Sequence, residues 1–231
     1  MYSLPQDFVK GELKIGCGGT VVDWYNFARE VCAEILEYDS EPIGGENVIV
    51  EIDESKFGKR KYHKGRRVDG CWVFGGIERE SKKCFFTIVE KRNAETLVPL
   101  IKKYIKPKTN IISDCWAAYA GLEQQGYNHL TVNHSKEFVN SETGAHTQTI
   151  ESTWHQLKLH LPRKGTQKQL YNGYFMEYVI RKKYLNDSAD KFLTFLDLVS
   201  RVYNVNSDNE NVENVDPNTA DNSLPLFSDS D

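Results

Sequence analysis

The stretch VIVEIDES, residues 48–55, decides how the rest of the chain is read. Its β-branched run 48–52 is a buried strand that ends at Asp53, and the Pro-Ile-Gly-Gly punctuation at 42–45 sets a boundary just before it. Downstream, CWVFGGIE (71–78) and KCFFTIVE (83–90) are separated by the polar Arg79 to Lys82 and read as a hairpin. Leu97, Leu100, Ile101 and Tyr104 keep helical spacing, with Pro99 requiring that helix to begin near 96–98 or to bend. NIIS (110–113) is a short strand ending at Asp114, residues 117–124 read as helical, and HLTV (129–132) is another strand. Ile150, Trp154, Leu157 and Leu161 then form one apolar helix stripe. The order is three strands, helix, strand, helix, strand, helix. Upstream, residues 20–38 place Val21, Trp24, Tyr25, Ala28, Val31, Cys32, Ile35 and Leu36 at amphipathic-helix spacing.

The spacing therefore predicts an N-terminal helical segment over 1–45, a catalytic-sized domain over 46–188, a C-terminal helix over 189–203 and a tail over 204–231. The 231 residues suit one well-buried domain with appendages. Hydrophobic residues at 39% and no apolar run near 18 residues argue against a membrane span, and the first twenty residues lack a signal-peptide core. The five cysteines are odd in number, widely spaced and free of any C-x-x-C pair, so a disulfide framework or zinc knuckle is not expected and a reducing compartment is. Residues 204–231 hold seven acids and no base, so the net charge of −4 becomes +3 for the rest of the chain. That Asn, Asp and Ser-rich tail cannot bury enough surface to offset its ordering entropy, and disorder is expected there.

Asp53 closes the first strand, Asp114 the fourth, and Glu151 falls in the first turn of the later helix. A ribonuclease-H-like fold, a mixed sheet of three antiparallel strands plus two further strands flanked by helices, uses that order for its acidic site. Three clustered carboxylates repel one another and make chemical sense around hard divalent cations, for which oxygen ligands suit Mg²⁺ or Mn²⁺. Two ions about 3.5 to 4 Å apart can activate an attacking oxygen and stabilise a leaving oxygen in a phosphodiester displacement. Any one such acid is by itself ordinary, because Asp favours turns and Glu favours helix starts. The combination is more telling: with Ile150, Trp154 and Leu157 facing the core, Glu151, His155 and Lys158 share the adjacent strip.

The segment from Val50 to Leu185 resembles the catalytic domain of Merlin-type DDE transposases and their bacterial insertion-sequence relatives. The matching pieces are V-E-I-D-E-S with Asp53, K-x-x-K-R-K-Y-x-K-G-R-R after it, the W-V-F-G-G-I strand, and I-I-S-D-C-W-x-x-Y with Asp114. V-N-H-S-x-x-F with His134 and Phe138, and H-T-Q-T-I-E-S-T-W-x-x-L-K with Glu151, complete the set, with 36 residues between Asp114 and Glu151. The resemblance implies a ribonuclease-H-like fold, an Asp53/Asp114/Glu151 metal-binding triad holding two Mg²⁺ or Mn²⁺ ions, strand hydrolysis at element ends and joining of the freed 3′-OH to target DNA. It also implies a homo-oligomer on DNA. Some bacterial relatives carry Asn at the third acidic position, whereas Glu151 is the stronger ligand. Family members commonly carry an additional N-terminal DNA-recognition region, while 52 residues precede Asp53 here, so a truncated or domesticated form is expected.

Lys56, Lys59, Arg60, Lys61, Lys64, Arg66 and Arg67 lie in a twelve-residue stretch without an acid, interleaved with Phe57, Tyr62 and His63. Beside the triad they are expected to contact DNA phosphates, as is Lys158, although a solvated loop or nuclear-import signal would carry the same charges. His134 and His146 are candidates to approach the scissile phosphate or orient a carboxylate. Trp116, Tyr119 and Trp154 read as core, with stacking on a splayed base as the other use of such rings. The leading expectation is a metal-dependent transposase domain, located in the nucleus of a eukaryotic host and otherwise in the cytoplasm. Its rivals are a domesticated, inactive DNA-binding or interaction protein and a structure-selective ribonuclease.

Overall fold

The computed structural model describes residues 4–39, 41–58, 70–133, 139–141, 143–162 and 166–203. The expected acidic tail at 204–231, His134 and the basic residues Lys59, Arg60, Lys61, Lys64, Arg66 and Arg67 lie outside the described residues.

Helices α1 (Gln6–Glu12) and α2 (Gly18–Tyr38) precede a five-stranded sheet. Strand β1 (Ile49–Phe57) pairs antiparallel with β2 (Cys71–Glu78), and β2 antiparallel with β3 (Cys84–Val89). After helix α3 (Ala94–Tyr104), β4 (Asn110–Asp114) lies parallel to β1 on its other side, and β5 (Asn128–Val132) lies parallel to β4. The spatial order is β3-β2-β1-β4-β5. Helices α4 (Gln148–His160), α5 (Tyr171–Ile180) and α6 (Lys191–Val202) follow, with a π-helical turn at Arg181–Leu185.

Both faces of the sheet are covered, which explains why the start of β1, Glu51 apart, and β2 read as nearly continuous apolar runs. On one face Val50, Ile52 and Phe74 pack with Leu97 and Ile101 of α3 and with Tyr119 and Leu122. On the other, Val73, Ile77 and Phe86 pack with Ile150, Trp154 and Leu157 of α4 and with Tyr171 and Phe175 of α5. A smaller core joins Val31, Cys32 and Ile35 of α2 to Ile180 and to Leu198 of α6. The five cysteines are free thiols. No helix among the described residues is long and apolar enough to cross a membrane.

Three local expectations change. Strand β1 does not end at Asp53 but runs on to Phe57, because β2 continues opposite it from Gly75 to Cys71. Helix α3 starts at Ala94, ahead of Pro99, because the Asn93 side chain accepts the Thr96 N–H at 3.2 Å and caps the first turn. The 117–124 segment is two 3₁₀ turns, Ala117–Tyr119 and Glu123–Gln125, in place of one helix. Its two fully buried side chains, Tyr119 and Leu122, are three residues apart, the spacing that eclipses on a 3₁₀ turn.

Three antiparallel strands followed by two parallel ones, in the order 3-2-1-4-5 with helices on both faces, make this a ribonuclease-H-like fold.

Candidate acidic site

Alternation along β1 turns Glu51, Asp53 and Ser55 to one face, and α4 lies along that face. Each of the three is gripped by α4. The Ile150 backbone N–H donates to Glu51 Oε2 at 2.9 Å, the Trp154 indole Nε1–H donates to Asp53 Oδ2 at 3.0 Å, and Lys158 Nζ donates to Ser55 Oγ at 2.6 Å. Four residues of helix rise about 6 Å and two residues of strand about 6.6 Å, so the two elements stay in step over three contacts.

The register is set at its N-terminal end. Glu51 is fully buried, and its carboxylate also accepts from Arg79 Nε at 2.9 Å. Arg79 Nη2 donates in turn to the His146 carbonyl at 2.9 Å, on the chain leading into α4, and His146 Nδ1 stands 3.6 Å from Glu51 Oε1. A buried carboxylate thus satisfies one of the helix's orphan N–H groups while Arg79 neutralises it. At the next level, Gly75 faces Asp53 across the β1/β2 pair. A Cβ there would come within 2.6 Å of Trp154 Cη2 and 2.8 Å of a Phe86 ring carbon, so glycine is what lets the indole lie across β2 and reach Asp53.

Asp114 is the last residue of β4, and its Oδ1 accepts the Trp116 backbone N–H at 3.0 Å. Pairing between β1 and β4 stops at Glu51 and Ile112, which leaves Asp53 and Asp114 just beyond the last rung. Crevices of this kind, past the carboxyl ends of parallel strands, are where open α/β sheets bind ligands. Glu151, exposed in the first turn of α4, accepts from Thr147 Oγ1 at 2.9 Å through Oε1. Burial pushes the Asp53 carboxyl up to about 6, and the negative charges of Asp114 and Glu151 push in the same direction. Asp53 therefore sits in the field of both other acids. A fourth joins them from the other face of β1: burial pushes Glu54 up to about 7, aided by the charges of Asp53 and Asp114 and opposed by Arg92. Among the described residues, no three His, Cys, Asp or Glu side chains are grouped closely enough to hold a metal ion.

Lys158, expected to face a phosphate, is bound to Ser55 with its ammonium 5.2 Å from the Phe57 ring centroid, and Lys56 stands 5.7 Å from the Trp72 ring centroid. Trp154 is core, as expected, with only 4% of its surface exposed, and it also holds Asp53. Spacing alone does not single out Glu51 or Arg79. The available signal was a charged residue inside the apolar run VIVEI, since a carboxylate buried there must have a partner.

Asp53 ionises near its ordinary 3.8 when unfolded but near 6 when folded, so between those pH values the folded state holds the extra proton. Its contribution to the stability of the metal-free protein falls as pH rises from about 4 to about 6, by up to about 3 kcal/mol. Denaturant titrations across that range should show wild type losing stability relative to Asp53→Asn; parallel curves would mean that the carboxyl is not perturbed.

Fold and site together define a ribonuclease-H-like domain with acidic side chains just past the end of its central β1/β4 pairing. The chain belongs to the ISXO2-like transposase domain family, which it matches over residues 32–186. It is similar to a Haemophilus influenzae protein described as an uncharacterized transposase-like protein, 27% identical over 96 residues that make up 41% of this chain and 76% of that one. Among solved structures, the HTLV-2 integrase catalytic core domain in complex with magnesium aligns with a TM-score of 0.40 and 14% identity, covering 68% of this chain and 99% of that one. The BIV integrase catalytic core domain aligns with a TM-score of 0.40 and 11% identity, covering 67% and 97%.

Proposed function

We propose that this domain cuts DNA strands at the ends of a mobile element and joins them to target DNA, with Asp53, Asp114 and Glu151 as the metal-binding triad. The observation that carries the reading is the charge gathered on Asp53 in a chain of a transposase family: its carboxyl is held high by burial and, in the same direction, by Asp114 and Glu151. Kinship with Merlin-type elements rests on the order of the sequence motifs from Val50 to Leu185.

The donor set suits a hard cation. It is all oxygen, and an ion drawn in by Asp53, Asp114 and Glu151 would relieve the like charge that bears on Asp53. Asp53, Asp114 and Glu151 would hold Mg²⁺ or Mn²⁺, and two such ions would activate the attacking oxygen and stabilise the leaving one. The chain's own part is orientation. The Trp154 indole holds one oxygen of Asp53, the Trp116 amide holds one oxygen of Asp114, and the Glu51 clamp fixes the turn that carries Glu151. A water oxygen attacks the scissile phosphate and the 3′ oxygen leaves; that 3′-OH then attacks a target phosphate and displaces its 3′ oxygen. Lys56 and the basic stretch from Lys59 to Arg67 would hold flanking phosphates, and His134 and His146 remain candidates to orient the acids. The assembly would be a homo-oligomer on DNA, in the nucleus of a eukaryotic host or otherwise in the cytoplasm.

Calorimetry with Mg²⁺ and Mn²⁺, with and without duplex DNA, tests the metal site. Divalent binding that disappears in the Asp53→Asn, Asp114→Asn, Glu151→Gln triple variant is the expected result. If the wild type binds no divalent ion even with DNA present, the catalytic reading gives way to an inactive DNA-binding module.

The basic stretch makes a separate prediction. Neutralising Lys59, Arg60 and Lys61 together should weaken DNA binding uniformly across sequences and flatten the slope of log affinity against log salt by roughly 2.7, about 0.9 for each duplex phosphate contact. An unchanged slope in a salt titration would remove the stretch from the interface.

A further inference from the structure

Beside Asp114 lies a group of aromatic and cationic side chains whose rings and guanidinium hold none of the triad's carboxylate oxygens. Trp116 follows Asp114 by two residues, and its backbone N–H is the donor to that carboxylate. Its indole Nε1–H donates to the Arg92 carbonyl at 2.9 Å, so the only polar atom of the ring is already satisfied within the protein. Trp116 is nevertheless 42% exposed. What a ligand can meet there is π surface, on a ring pinned at both its backbone and its indole nitrogen.

Arg92 completes the group. Its guanidinium lies 3.7 Å from the Trp72 ring centroid and 5.1 Å from that of Trp116; its charge reaches Glu54, and no hydrogen bond or ion pair within contact distance to it is found among the described residues. A stacked guanidinium keeps its planar fan of N–H donors for oxygens in the ring plane, the geometry that phosphate oxygens match. A fixed, open indole flanked by a cation with unused donors has the two elements that unpaired nucleic acid requires: a platform for the base and a charge for the backbone.

We propose that Trp116 and Arg92 form a nucleotide subsite next to Asp114, in which an unpaired base stacks on the indole and its adjoining phosphate is held by the guanidinium. This rests on the reading that DNA is the substrate and adds that the nucleotide beside the reacting bond is splayed from its duplex. An indole accepts any base face, so the subsite selects unpaired over paired DNA without selecting sequence.

The test needs no catalysis. Affinities of the full chain are measured in EDTA for a blunt duplex and for the same duplex carrying a three-nucleotide single-stranded extension. The wild type should prefer the extended DNA. Trp116→Ala should weaken binding to the extended DNA by about 5- to 150-fold, the range for loss of one base–aromatic stack, with the blunt duplex unaffected. Trp116→Phe, which retains a ring, should keep most of the preference, and Arg92→Ala should flatten the salt slope by about 0.7 to 0.9. With 5-iodo-deoxyuridine in the extension, irradiation should crosslink Trp116, identified by peptide mass. Equal binding of both DNAs by wild type and Trp116→Ala, or a crosslink only at other residues, overturns the subsite while leaving DNA as the substrate. A wild type that binds neither DNA overturns both.

Discussion

Asp53→Asn, Asp114→Asn and Glu151→Gln should each lower Mg²⁺- or Mn²⁺-dependent nicking and strand transfer on element-end DNA by roughly 10³-fold or more, with the fold intact. Each substitution preserves size and hydrogen-bonding atoms and removes one charge, so the packing around Trp154 and Trp116 has no reason to change. What is lost is the anionic oxygen that holds an ion at the reacting phosphate, a contribution of several kcal/mol to the barrier. Without metal, Asp53→Asn should instead be the more stable protein above about pH 6, because it relieves the burial and repulsion that push Asp53 up. The combination is diagnostic. A variant that loses activity and gains metal-free stability has lost a metal-holding charge, whereas one that loses both has lost a structural residue. Nicking assays beside thermal melts in EDTA separate the two, and wild-type-like nicking by all three variants would remove the triad from the chemistry.

Glu51→Ala should be the most destabilising single substitution at the site. It strips partners from the Arg79 guanidinium and the Ile150 N–H at a fully buried position. Breaking a buried ion pair from one side costs about 3 to 5 kcal/mol. At roughly 2 to 4 °C per kcal/mol for a chain of this size, Tm should fall by about 6 to 20 °C. Glu51→Gln, which keeps an acceptor for Ile150, should cost less. Replacing both partners, Glu51→Leu with Arg79→Met, should cost less than the sum of the single changes because no uncompensated charge remains. Activity should fall with Glu51→Gln even where the fold survives, since the turn carrying Glu151 loses part of its anchor. A melting point lowered by less than about 2 °C in Glu51→Ala would mean that the clamp does not hold α4.

Much of this architecture was legible from local pattern. The runs 50–52, 71–78 and 84–89 are covered from both sides, and a strand covered on both faces carries its own apolar signature. The helix over 148–160 was legible from its one-sided period: Ile150, Trp154 and Leu157 are buried, and Glu151, His155 and Lys158 are exposed, as the 3.6-residue repeat requires. Less legible were the features that depend on a neighbour. Strand β1 outlasts its apolar run because β2 continues to pair with it, and the 117–124 segment tightens to 3₁₀ because Tyr119 and Leu122 must enter the core three residues apart.

The sequence by itself determined the strands and the long helices, though not the 3₁₀ turns of 117–124, and which carboxylates sit on them, since periodicity and turn chemistry act over a few residues. Only the tertiary structure decided what each carboxylate does. Glu51 and Asp53 are two residues apart on one face of one strand, and nothing in their local sequence tells them apart. Glu51 meets Arg79 and a helix N–H, which neutralise it in the core. Asp53 meets Asp114 across a strand pair that has just ended and Glu151 from the helix, which leave it burdened with like charge. Burial and electrostatic field are sums over groups brought together from residues 51 to 154, and those sums exist only once the parallel β1/β4 pairing and the docking of α4 have formed.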